Sequence, residues 1–269
     1  MKITHEEFKY VQQMAYNQFG IYLTDAKKSL IENRFTNIVQ AKGYESFMPY
    51  FESLKKDMHG SEMSEFINRL TTNHTYFFRE EKHFDFLRET LLPALFRQES
   101  HSHDLRIWSA GCSSGEEAFT LAMIIDDMLG EKKRLWDTTI LATDISSKVL
   151  AKANVGLYPK ESLNNINPIY RNRYFEIKGD LYQLKPALRK EVVFRKFNLT
   201  HPFQFKKTFH IIFCRNVLIY FDKASKEAVL TKFYNSLNHG GYLFIGHSET
   251  IENGNIGFKF VGPSIYMKE

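Results

Sequence analysis

Two glycines, Gly111 and Gly115, bracket Cys112-Ser113-Ser114, and two acids, Glu116 and Glu117, follow immediately. Glycines adopt backbone angles that side chains resist, so this spacing makes a tight loop able to cradle a ligand. Paired carboxylates near a helix start would repel phosphate, yet they accept hydrogen bonds from ribose hydroxyls or hold a cationic group. A ligand with a sugar and no pyrophosphate meets those terms, and S-adenosylmethionine, an adenosine carrying a sulfonium, is one. A further acid, Asp144, ends the apolar run Thr139-Ile140-Leu141-Ala142-Thr143, the place where folds of this type bind ribose hydroxyls. Two later apolar runs end at Asn198-Leu199, placed to meet adenine, and at Arg215-Asn216.

Three chemistries compete for the glycine loop. A dinucleotide site needs G-x-G-x-x-G, and here the glycines stand four apart with no third in register. Gly-x-Ser-x-Gly is also the nucleophile elbow of α/β hydrolases, with Ser113, Asp144 and His247 in the right chain order. That reading ranks second, because everything before Leu105 is helical, leaving no earlier strand to supply an oxyanion loop. Glu116 and Glu117 would also stand beside the developing negative charge. The third is an S-adenosylmethionine site. Cys214-Arg215-Asn216-Val217 replaces the Asn/Asp-Pro-Pro-aromatic stretch expected for transfer to a nucleic-acid amine, which disfavours a base as acceptor.

The elements that must position these residues follow from periodicity. Leu105-Arg106-Ile107-Trp108-Ser109-Ala110 reads as a short buried strand, and Ala118, Phe119, Leu121, Ala122, Ile125, Met128 and Leu129 recur at helical spacing. Upstream, Thr4 and Glu7 form a capping box for a helix running to Gly20. A second helix is expected over residues 24–43, burying Leu30, Ile31, Phe35, Ile38 and Val39, and two more near 47–56 and 62–70 complete an all-helical domain. A helix over 80–98 leads to the first strand. Later strands are expected at 192–197, 209–214 and 242–245, with a closing hairpin of 258–261 and 265–267. Lys178-Gly179-Asp180 between two apolar runs predicts a small antiparallel insertion at about 170–190. The plan is α/β: a Rossmann-like methyltransferase sheet with a C-terminal antiparallel hairpin.

Composition narrows the class. The 269 residues suffice for one large or two modest domains, and 43% hydrophobic content is that of a globular chain. No stretch approaches the roughly 18 uninterrupted apolar residues of a membrane span, and the first residues are too polar for a signal peptide, so a soluble, cytoplasmic protein is expected. Cys112 and Cys214 read as two buried thiols, and His101 and His103 as solvated, so no metal is expected. Residues 148–207 carry 13 Lys and Arg against 4 Asp and Glu, either a solvated face or a surface for an acidic partner.

TTNHTYFFRE, IWSAGCSSGEEAFTLA, ATDIS, FNL, FCRNVLIYF and GGYLFIGHSE, in this order, resemble the CheR-type chemoreceptor glutamate methyltransferases over essentially the whole chain. The resemblance implies a class I sheet in an enzyme that uses S-adenosylmethionine, releases S-adenosylhomocysteine and forms methyl esters on receptor glutamates. It implies a helical domain over 1–72, a linker and lid over 73–98, and a methyltransferase domain over 99–269. Asn73, Thr75, Arg79, Glu117, Asp144, Asn198, Leu199, Arg215 and Asn216 would bind the cofactor, while Arg79 and Tyr220 would line the acceptor side. Lys27, Lys28 and Arg34 become candidate contacts to receptor helices, with neither nucleic acid nor membrane insertion involved. The Lys178-Gly179-Asp180 turn is short and poor in glycine, which weighs against tethering to a receptor's C-terminal pentapeptide. A receptor-associated module that keeps the cofactor without turnover is the alternative, and the presence of every binding motif weighs against it.

Overall fold

The structure, a computed structural model, describes residues 1–56, 60–251 and 256–269. Two compact units form: Met1–Asn73 with Ile219–Ala228, and His74–Leu218 with Val229–Glu269. This division differs from the expected 1–72, 73–98 and 99–269. The segment from His74 onward belongs with the sheet, and a short piece after Leu218 belongs with the helices.

In the helical unit, Thr4 Oγ1 accepts the Glu7 amide (3.1 Å) while the Glu7 carboxylate accepts the Thr4 amide (2.8 Å), starting helix α1 (His5–Phe19) as the spacing predicts. Helix α2 (Lys28–Ala41) begins only after a 3₁₀ turn, Asp25–Lys27, and buries Ile31, Phe35 and Val39. Leu30 and Ile38 stay half-buried, so its apolar stripe is narrower than expected. The same Glu7 carboxylate accepts the amides of Phe47 and Met48 (2.8 and 3.0 Å), tying α1 to the start of α3 (Phe47–Lys56). Burial alone would raise the Glu7 pKa, but these amides together hold it below the usual carboxylate value. Phe35 packs against Tyr50, Phe51 and Phe66 at the centre, Phe66 coming from α4 (Ser61–Leu70).

Arg34 has a structural task within this unit. Its guanidinium donates to the carbonyls of Arg69 and Leu70 (2.8 and 2.9 Å) and to Thr72 Oγ1 (2.8 Å), satisfying acceptors at the end of α4 that lack helical partners. Lys27 is exposed and Lys28 half-exposed. Arg34→Ala is expected to lower the stability of the chain by about 1–2 kcal/mol in urea unfolding. Lys27→Ala is expected to stay within about 0.5 kcal/mol of the parent.

The sheet unit opens with one long helix of three parts, α5 (Glu81–Phe86), a π-helical turn (Leu87–Leu91) and α6 (Leu92–Gln98). There follow β1 (Ile107–Ala110), α7 (Glu116–Leu129), β2 (Ile140–Asp144), α8 (Ser147–Val155), β3 (Leu157–Pro159), α9 (Pro168–Tyr174), β4 (Phe175–Lys178), β5 (Leu181–Leu184), α10 (Pro186–Arg189), β6 (Val192–Lys196), β7 (Phe209–Cys214), α11 (Lys223–Ser236), β8 (Leu237–Ile245), β9 (Phe258–Gly262) and β10 (Ile265–Lys268). Seven strands form one sheet in the order β6-β2-β1-β7-β8-β10-β9, with β10 antiparallel to both neighbours. Strands β3, β5 and β4 form the separate antiparallel insertion, which therefore begins at residue 157 and not near 170. Strand β8 starts five residues earlier than expected. Its ladder with β7 shifts register between Phe209 and Ile211, where Gly240 turns left-handed (φ 74°) to absorb the extra residues.

Hydrophobic burial fixes this arrangement. Phe77, Phe84, Leu87 and Leu92 sit in the same core as Phe119, Phe213 and Phe244, which is why residues 74–98 stay with the sheet. Trp108 is fully buried among Phe203, Phe205, Phe209 and Phe233, and its indole nitrogen donates to Thr143 Oγ1 (2.9 Å). The parallel register sets Ala110 beside Thr143, Asp144 beside Lys196 and Cys214 beside Ile245, bringing the carboxyl ends of five strands to one edge. Among the described residues no helix is long and apolar enough to cross a membrane.

Candidate functional site

The glycine loop leaves β1 and is sewn to the tip of β2. Gly111 and Cys112 donate their amides to the Thr143 carbonyl (2.7 and 2.9 Å), and Ser113 donates its amide to Asp144 Oδ2 (2.9 Å). Gly111 is left-handed (φ 84°), and a Cβ there would lie 2.3 Å from Val217 Cγ2, so neither conformation nor space admits another residue. Asp144 Oδ1 accepts the Ser146 amide (2.9 Å), so one carboxylate orders both the loop and the start of α8. Burial pushes the Asp144 pKa up, against the amides of Ser146, Ser113 and Ile145, which favour the anion.

The two acids opening α7 divide their tasks. Glu116 is buried beneath the loop, where Ser114 Oγ bonds across both its oxygens (2.9 and 2.8 Å), and burial pushes its pKa up to about 7. Tyr158, from β3 of the insertion, donates to the Ser114 carbonyl (2.7 Å) and supports the loop from behind. Glu117 faces the other way. It accepts from Ser109 Oγ (2.7 Å) and from Arg215 Nη1 (3.1 Å).

Arg215, just past β7, is the hub of the edge. Its guanidinium reaches Glu80 Oε2 through Nε (3.2 Å) and Nη2 (3.0 Å), and also donates to the Arg79 carbonyl. Glu80 Oε1 in turn accepts the His247 amide (3.3 Å) and Asn216 Nδ2 (3.5 Å), while Glu249 Oε2 accepts the amides of Gly246 and Asn216 (2.6 and 2.9 Å). Burial would raise the Glu80 pKa, but Arg215 holds it below the ordinary carboxylate value; for Glu117 burial prevails over Arg215 and the pKa is raised. Phe78, Glu80, Ser113 and Asn216 all carry left-handed φ, of 58, 60, 49 and 59°, the kind of backbone strain that collects where side chains must be aimed.

Glu80, His83 and His247 bring potential metal ligands within 4.8 Å of one another, a convergence that sequence spacing did not reveal. His83 is 1% exposed, and burial together with Arg215 drives its pKa to about 4, so its ring is neutral at physiological pH. The cation already seated on the Glu80 carboxylate is the Arg215 guanidinium.

The remaining expected residues fall into two groups. Asn198 and Leu199 follow β6 next to Asp144, whose carbonyl accepts the Phe197 amide (2.9 Å); Asn198 Oδ1 accepts the Thr200 amide (3.0 Å). Thr75 is half-buried on the approach to α5, and Arg79 donates to the His74 carbonyl (2.7 Å) and lies over the Tyr76 ring. Asn73 and Tyr220 belong to the helical unit. Asn73 bonds Asn68, and the Tyr220 hydroxyl accepts the Thr72 amide (3.1 Å) and donates to its carbonyl (3.3 Å). The sheet unit thus gathers Arg79, Glu117, Arg215 and Asn216 in one cluster, with Asp144, Asn198 and Leu199 along the neighbouring strand tips. Sequence reasoning missed Glu80 and Glu249, although each is an acid inside a quoted motif, beside Arg79 and at the end of GGYLFIGHSE.

No triad forms from Ser113, Asp144 and His247. Asp144 accepts backbone amides, whereas the His247 ring stands against His83 and Glu80. The donor set suits S-adenosylmethionine instead. Asp144 retains acceptor capacity beyond the amides of Ser113, Ser146 and Ile145, enough for a ribose hydroxyl, and Glu80 with Glu117 outnumber Arg215, favouring a cationic ligand.

Comparison with known proteins agrees with this geometry. The family described as "CheR methyltransferase, SAM binding domain" matches residues 73–267, and "CheR methyltransferase, all-alpha domain" matches residues 6–71. A "Chemotaxis protein methyltransferase" of Borreliella burgdorferi is 42% identical over 272 residues, covering 100% of this chain and 96% of its own. Proteins of the same description from Listeria innocua and Escherichia coli K12 are 36% and 34% identical, covering 98% and 99% of this chain and 97% and 92% of their own.

Proposed function

The chain belongs to the CheR methyltransferase family, and from that premise we propose that it methylates glutamate side chains of chemotaxis receptors in the cytoplasm, yielding methyl esters and S-adenosylhomocysteine. The observation that carries this reading is the Glu117–Arg215–Glu80 cluster beside the Asp144-ordered loop, all at the carboxyl edge of the parallel strands. S-adenosylmethionine supplies the electrophilic methyl group on a sulfonium. Asp144 would hold its ribose, Asn198 and Leu199 its adenine, and Glu117, Arg215 and Asn216 its amino-acid portion, with Asn73, Thr75 and Arg79 covering it.

A glutamate side chain has a reference pKa of about 4.3, so the acceptor arrives as an anion and needs no general base. What the protein must supply is alignment and exclusion of water. Arg79 and Tyr220 orient the acceptor carboxylate in this reading without taking a proton. Lys27 and Lys28 remain candidates for contact with receptor helices, whereas Arg34 is committed to α4.

Incubation with methyl-labelled cofactor and receptor cytoplasmic fragments tests the proposal, with base-labile label on the receptor as the expected result. Arg79→Ala and Tyr220→Phe are expected to slow turnover by about 10- to 100-fold with little change in its pH profile. A steep new pH dependence would assign them acid–base roles instead. Cofactor binding without any transfer would identify a silent receptor-associated module.

A further inference from the structure

We infer that Lys232 is a positioning residue that sets adenine recognition by fixing the turn at Asn198 and Leu199. This deepens the cofactor reading above and rests on it. Lys232 sits on α11, one residue before Phe233, which is fully buried against Trp108 and Phe203, so the helix backbone that carries it is packed into the core. Its ammonium donates to the carbonyls of Leu199 (2.5 Å) and His201 (3.1 Å) and lies 4.9 Å from the centre of the Phe203 ring. Among the described residues no carboxylate pairs with it, and desolvation lowers its pKa. The charge is thus directed at backbone, where a cation holds a carbonyl more firmly than a neutral donor would.

The geometry locks one peptide plane on both edges. The Leu199 carbonyl is held by Lys232, and the Thr200 amide of the same peptide unit is held by Asn198 Oδ1 (3.0 Å), which also accepts from Thr200 Oγ1 (2.8 Å). The Asn198 carboxamide oxygen is therefore oriented by the very peptide that Lys232 fixes. At the other end of the turn, the Phe197 amide is tied to the Asp144 carbonyl (2.9 Å). Without the ammonium, the Leu199–Thr200 peptide could rotate, and the Asn198 side chain would lose its reference. Asp144 and the glycine loop, tied together independently, would stay in place.

The test compares S-adenosylhomocysteine with its hypoxanthine counterpart, S-inosylhomocysteine, by calorimetric titration. Lys232→Met keeps the apolar stem and removes the donors. It is expected to weaken the adenine ligand about tenfold, raising KM for the cofactor and not lowering kcat in proportion, while the hypoxanthine ligand changes less than about threefold. Lys232→Arg, which keeps donors and charge, is expected to stay within about threefold of the parent on both ligands. Should the Met variant fail to fold, Lys232→Gln, with one donor group, reads the same way. Equal losses on both ligands would reduce Lys232 to a structural role, and no loss on either would overturn the inference. Failure of the unaltered protein to bind S-adenosylhomocysteine would instead sink the cofactor reading.

Discussion

Asp144→Asn is expected to weaken S-adenosylhomocysteine by about 100-fold and to lower folding stability by about 2 kcal/mol. The carboxylate accepts the Ser113 amide on one oxygen and the Ser146 amide on the other, each at 2.9 Å. An asparagine can present only one acceptor, so its amide NH₂ must face one of those N–H groups, donor against donor, in a buried site. Either the Ser113 turn or the start of α8 is released, and the charge available to ribose hydroxyls is gone as well. Burial raises the Asp144 pKa in the folded state, so the folded protein binds its proton more readily than the unfolded chain does. Stability from this residue therefore rises as pH falls through the folded value and levels off below the unfolded one, while ligand affinity moves the opposite way because hydroxyls prefer the anion. Urea midpoints and calorimetric affinities across that range measure both slopes. An Asn variant that binds within threefold of the parent would remove Asp144 from the site.

Much of the candidate site's framework was legible because its signals are local. Two glycines, the acids behind them and the helical recurrence of Ala118, Phe119, Leu121 and Ala122 lie within one strand-loop-helix unit, and Asp144 announces itself at the tip of an apolar run. Partners set by tertiary packing were not. Helical periodicity shows that α5 and α6 have an apolar face, yet not that Phe77, Phe84 and Leu87 join the core beneath the sheet. Arg34 reads as a surface charge on α2 until its reach to the end of α4 is seen. Glu80 lies 135 residues from Arg215, and nothing in spacing could pair them. Strand β3 holds three residues ending in Pro159, too few for a period-two pattern.

Arg215→Met is expected to destabilise the protein by about 3–5 kcal/mol, the largest single effect anticipated for any substitution at this edge. The guanidinium, 7% exposed as a residue, is the only cation bonded to both Glu80 and Glu117 among the described residues, and it also satisfies the Arg79 carbonyl. Its removal leaves two carboxylates facing each other in a site from which water is largely excluded. Like charges then raise both pKa values, adding to the burial that already lifts Glu117 and releasing Glu80 from the interaction that holds it low. In the parent the two acids pull in opposite directions. Glu80, with a depressed folded pKa, contributes stability that is lost as pH falls through that value; Glu117, with a raised one, gains stability as pH falls through its own. In the variant both gain on acidification, so its urea midpoint is expected to climb as pH falls from neutral toward the ordinary carboxylate value of about 4.3. Adding Glu80→Gln to Arg215→Met should recover a substantial part of the loss, because one of the unpaired charges is then gone. A midpoint that does not respond to pH, or a double variant no more stable than the single one, would mean that Arg215 holds this edge together by packing and not by charge.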